Sequence, residues 1–122
     1  MSEIETINGQ RILLCDREGA ALASSRDASD LVGEAFSAEA KMIVIPVERL
    51  SPDFLKLSSG LAGEVLQKFV NYGLKVAILG DIAAAIAASG PLRDFVRESN
   101  RGHSVWFVDD RADLDARVAA LT

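Results

Sequence analysis

The chain is poor in the residues that build metal and covalent chemistry. It has one cysteine, Cys15, and one histidine, His103. No disulfide can close within it, and no Cys/His zinc site can be assembled, because such sites take four protein ligands or three and a water. Basic residues do not dominate: 13 Lys and Arg stand against 18 Asp and Glu, a net charge of −5. That balance argues against nucleic acid or an anionic membrane as the main partner, since both require a basic patch. No apolar run approaches the ~20 residues that span a bilayer. The opening Met-Ser-Glu-Ile-Glu is acidic, unlike a secretory or transit peptide, so a cytoplasmic location is expected. Neither a Walker motif nor a dinucleotide fingerprint is present.

What remains is ordinary globular material. The 122 residues, 49% of them hydrophobic and 25% charged, suit a single domain spanning residues 1–122. A chain of this size buries about 65–70% of the surface its unfolded form exposes and needs no covalent or metal staple. Cys15 follows Ile12-Leu13-Leu14 and reads as a small buried hydrophobe. His103, between Gly102 and Ser104, reads as a surface residue just before a strand.

The apolar pattern gives the order β-β-α-β-α-β-α-β-α. Glu3 to Asn8 alternates weakly, Asn8-Gly9 is a hairpin signal, and Arg11 to Cys15 forms the returning arm. Ser25 to Ala38 reads as a helix capped by Asp27 or Ser29, with Leu31, Ala35 and Phe36 facing inward. Met42-Ile43-Val44-Ile45 is continuously apolar, as in a strand covered on both faces, and Pro46 limits its end. Ser51-Pro52-Asp53 suggests a short helical turn. A helix from Gly60 to Tyr72 carries Leu61, Val65, Leu66 and Phe69 at helical spacing, and Gly73 stops it. Leu74 to Leu79 is the next strand. Two helical pieces follow, from Ile82 to Ala88 and from Leu92 to Asn100, interrupted by Ser89-Gly90-Pro91. Ser104 to Val108 is the last strand and Ala112 to Leu121 the last helix. Right-handed crossovers make the last three strands parallel, so the expected fold is α/β, with a mixed, mostly parallel sheet covered by helices.

Ligands of open α/β sheets bind outside the carboxyl ends of the strands. Ser58, Ser59, Asp81 and Asp109 then share one pole, and Asn100, Arg101 and His103 the other. A Ser–His pair is therefore hard to build. In Ser58-Ser59-Gly60-Leu61-Ala62-Gly63-Glu64 the two serines precede the strongest helix. One serine serves as its N-cap, or the same unpaired N–H groups stabilise a phosphoryl group on Ser58 or Ser59. Glu98-Ser99-Asn100-Arg101-Gly102 reads either as a helix terminator or as a polar contact patch with Arg101 anchoring a partner carboxylate. Asp81, Asp109 and Asp110 either cap helices or hold Mg²⁺. A phosphate-accepting receiver domain also needs a lysine after the last strand, and none lies between Asp109 and Arg117.

The Ser58-Ser59-Gly60-Leu61 segment, at a strand–loop–helix junction, resembles the Asp-Ser-Ser-Gly-Leu segment of STAS domains, the fold of anti-sigma-factor antagonists. The element order is similar across most of the chain. The resemblance implies phosphorylation at Ser58 by a partner kinase, controlling binding to an anti-sigma factor; the family's acidic residue is Leu57 here. The chain is also similar to an uncharacterised bacterial family, domain of unknown function 4180. That similarity runs through Leu57, Ser59 to Glu64, Leu66 to Tyr72, Gly80-Asp81, Leu92 to Phe95 and Glu98 to Gly102. The family implies no activity.

Together these features predict a non-enzymatic, STAS-like regulatory or protein-binding domain with no cofactor, meeting a protein partner or a second copy of itself. Its contact residues are Ser58, Ser59, Gly60, Gly63, Glu64, Asp81, Asn100 and Arg101. The acidic balance points to a basic partner. The alternative is a small phosphate- or metal-dependent enzyme or ligand-binding protein using Asp81, Asp109 and Ser58.

Overall fold

A computed structural model describes residues 2–121. Five strands form one sheet in sequence order: β1 (Glu3–Ile7), β2 (Gln10–Leu14), β3 (Met42–Pro46), β4 (Lys75–Leu79) and β5 (Val105–Val108). β1 and β2 are antiparallel, and β2 to β5 run parallel. The Asn8-Gly9 turn makes this arrangement possible. Both residues take positive φ, 50° and 82°, the backbone that a two-residue hairpin demands.

The helices are α1 (Ser25–Ser37), α2 (Leu61–Asn71), α3 (Ala83–Ala88), α4 (Gly90–Arg101) and α5 (Arg111–Ala119). They divide unequally. Leu13, Ile43, Ile45, Val76, Ile78 and Phe107 join the core formed with α1, α2 and α4. Ile12, Met42, Val44, Ala77, Trp106 and Val108 face α5, through Leu114 and Val118. Successive strand residues point to opposite faces, so two covered faces produce the continuous apolar runs in the sequence. Every residue of β3 is buried. Among the described residues no helix is long and apolar enough to cross a membrane.

Several local expectations are corrected. Ser24, not Asp27 or Ser29, caps α1; its hydroxyl accepts the Asp27 N–H at 3.3 Å, while Asp27 accepts the Ala23 N–H at 2.9 Å. This reciprocal pairing satisfies two donors near the helix start. Phe36 lies outside the core, 51% exposed, and meets the equally exposed Tyr72 edge to face at 5.9 Å. Ser51-Pro52-Asp53 opens a plain turn rather than a helical one. The short 3-10 turns lie on either side, at Val47–Arg49 and Leu57–Ser59.

The two sheet edges differ. At β5 the Asn100 amide bonds the outer backbone directly: its Oδ1 accepts the Phe107 N–H at 2.7 Å, and its Nδ2 donates to the Phe107 carbonyl at 3.2 Å. Trp106 Nε1 donates to the Gly102 carbonyl at 2.9 Å, tying the same strand to the end of α4.

Candidate functional site

The loop between β3 and α2 is held by Phe54, whose side chain is fully buried. Its last turn, Leu57–Ser59, ends at Gly60, with φ 77°, and α2 starts there. Neither serine is the N-cap: Gly60 occupies that position without a side-chain bond. Ser59 acts one residue earlier. Its hydroxyl lies 2.8 Å from the Asp53 carbonyl and 2.7 Å from that of Lys56, and it accepts the Leu61 N–H at 3.2 Å. A hydroxyl can hold such a set because it both donates and accepts. Ser59 is therefore a loop fastener that also satisfies the first helical donor.

Ser58 is placed differently. It is exposed, and no hydrogen bond involves its hydroxyl among the described residues. It stands on the rim of a shallow groove of about 580 Å³, where Pro52, Leu55 and Leu57 face Ala85, Ala88 and Pro91 of the α3–α4 corner. The groove is mostly apolar. Gly63 and Glu64 lie exposed on the first turns of α2. A Cβ on Gly63 would meet nothing within 4 Å, so internal packing does not require glycine there.

Parallel pairing puts the segments after β3, β4 and β5 at one end of the sheet, but they serve separate features. Asp81 is exposed and its Oδ1 accepts the Ala83 N–H at 2.8 Å, closing the turn into α3. Asp110 caps α5, accepting the Asp113 N–H at 2.9 Å. Asp109 lines a cleft of about 590 Å³ at the carboxyl ends of the strands. Ser58 and Asp81 do not line that cleft. Among the described residues no three His, Cys, Asp or Glu side chains are grouped to hold a metal ion.

The cleft contains residues that sequence reasoning did not select. Arg17 pairs with Glu48 at 3.7 Å, and Arg111 bonds both Glu5 and Asp115, which raises its pKa. Each follows a strand end or lies near one, and the rule that selected Asp109 would have found them. Cys15 also lines the cleft but is buried, as expected for a small apolar residue. Burial pushes its thiol pKa up to about 11, against a smaller opposing effect of the Arg49 charge.

At the opposite pole Arg101 is exposed and reaches Glu98 at 3.5 Å. Asn100 is committed to β5, and its own carbonyl accepts from Arg117 Nη1 at 3.1 Å. The His103 carbonyl accepts from Lys75 Nζ at 2.7 Å. The candidate residues thus separate into the Ser58–Glu64 surface, the Asp81 turn and the Asn100–Arg101 corner.

No curated protein and no solved structure matches the chain. One family model does, over residues 7–118, and by that match the chain belongs to the family described as Domain of unknown function (DUF4180).

Proposed function

We propose that the protein is a non-enzymatic regulatory domain of STAS-like type that binds a protein partner through the groove beside Ser58, in the cytoplasm of a bacterium. The observation that carries this reading is an exposed serine hydroxyl with no hydrogen-bond partner among the described residues, set on the rim of an apolar groove. A partner side chain entering the groove removes apolar surface from water. A phosphoryl group on Ser58 would add about −1.5 to −2 charge at that rim. Contact made without the phosphate would then be weakened by desolvation of the new charge. Ser59 is a poor phosphorylation site by comparison, since its hydroxyl fastens the loop. The in-order sheet with one antiparallel edge supports the STAS-like reading.

The test is recovery of binding partners by the tagged full chain and by Ser58→Glu and Glu64→Lys variants. Both substitutions are on the surface and should change stability by less than about 0.5 kcal/mol. Loss of the same partner from both supports the proposal, whereas full recovery by both removes this surface. A second reading, a small-ligand protein, draws on the cleft at the carboxyl ends of the strands. Calorimetric titration with Mg²⁺ and phosphate compounds separates the two, since the interaction domain gives no heat with either.

A further inference from the structure

The outer edge of β1 lies away from the Ser58 groove. Among the described residues β1 pairs only with β2, while on the other edge Asn100 occupies the outward groups of Phe107. The hairpin fixes which backbone groups are left over. Ile7 and Gln10 flank the two-residue turn, so they form a hydrogen-bonded pair. Alternation then makes Thr6–Arg11 and Ile4–Leu13 the non-bonded pairs, and the N–H and C=O of Ile4 and Thr6 point outward. The strand is held in place. Asn8 Nδ2 donates to the Ala119 carbonyl at 3.2 Å, and Glu5 is bonded by Arg111.

Side chains set the chemistry of what could lie there. Glu3 and Glu5 share the face that α5 covers, and Glu3 is exposed. Ile4, 39% exposed, and Thr6 lie on the other face. We propose that β1 receives an extended, basic segment of a partner protein as an additional strand, with Lys or Arg opposite Glu3, since Glu5 is already paired with Arg111, and with β-branched residues against Ile4. Main-chain bonds to Ile4 and Thr6 supply the affinity, and the alternating side chains supply the choice of partner. A second copy of this chain is a poorer occupant. Two antiparallel β1 strands centred on Ile4 set Glu3 against Glu5, and centring on Glu5 sets that residue against itself. Neither register offers Glu3 a Lys or Arg, because β1 contains none.

The probe is a blocked peptide alternating Lys and Val, compared with a Glu-Val peptide and with a Lys-Val peptide N-methylated at alternate residues. Binding to the full chain is read by fluorescence anisotropy, and exchange of the Ile4 and Thr6 amides by NMR. The Lys-Val peptide should bind and slow exchange at both amides, and N-methylation should abolish both effects. Glu3→Lys should weaken that binding about five-fold. Ile4→Pro removes an outward donor without touching the β1–β2 bonds, so it should abolish binding while the hairpin signals persist. Equal binding of the Glu-Val or N-methylated peptide would overturn the proposal. So would unprotected Ile4 and Thr6 amides in the peptide complex, or protection that rises with protein concentration alone, which marks self-pairing.

Discussion

Replacing Asn100 by alanine separates two roles that the sequence left open for this residue. Its side chain bonds both the N–H and the carbonyl of Phe107 on the outer edge of β5. Alanine leaves both backbone groups without a protein partner. A buried polar group that loses its partner costs about 1–3 kcal/mol, and water reaches this half-buried position in part. The sum is about 1.5–3 kcal/mol for the pair. For a chain of this size each kcal/mol moves the midpoint of thermal unfolding by about 3–5 °C. Asn100→Ala should therefore lower the midpoint by about 5–15 °C and shift the urea midpoint without changing the slope. Asn100→Asp sharpens the test. At neutral pH the carboxylate still accepts from the Phe107 N–H but repels the Phe107 carbonyl. The variant should be destabilised at neutral pH and partly recover as acid restores a donor. A change below about 0.5 kcal/mol for Asn100→Ala would refute the latch and return the residue to the list of partner contacts.

Three other outcomes follow from local geometry. Gly80 has φ 144°, and a Cβ there would come within 2.6 Å of Val47 Cγ2, so Gly80→Ala should cost about 2–4 kcal/mol in chemical denaturation. Gly33, mid-helix in α1, meets nothing within 4 Å, and Gly33→Ala should stabilise the protein by about 0.5–1 kcal/mol by the same assay. Cys15 is a thiol whose pKa rises on folding, from 9.0 to about 11. Its contribution to stability is complete below pH 9.0 and is lost as pH rises towards about 11, because the unfolded chain ionises first. A Cys15→Ala variant should lack that part of the alkaline decline, and thiol-reactive probes should label the native protein only as fast as it opens.

The strands were legible because burial on both faces writes itself into consecutive residues, as in Met42 to Ile45. The hairpin was legible because Asn-Gly suits the left-handed backbone. Helix starts were harder. Asp27 and Ser29 fit a cap on paper, and only the bond to Asp27 N–H picks out Ser24. Ser59 resembles an N-cap but belongs to the 3-10 turn before Gly60. Phe36 fits the helical stripe by spacing, yet lies near the end of α1, where it meets Tyr72 instead of the core. The Ser58–Glu64 surface was visible as one contiguous segment. The cleft was not, since Cys15, Glu48, Asp109 and Arg111 come from separate strand ends. The role of Asn100 was also hidden, because a residue that terminates a helix and one that closes a sheet edge look alike in one dimension.

The central claim is that the groove beside Ser58 is where a protein partner sits. A photo-crosslinking amino acid at Ala88, inside the groove, tests this in the cells that make the protein, with Arg97 on the exposed side of α4 as the control position. The account predicts a discrete covalent adduct with one other protein from position 88. That adduct should be absent from position 97 and lost when Ser58→Glu is added. Only uncrosslinked chain from position 88, or the same adducts from both positions, would contradict it.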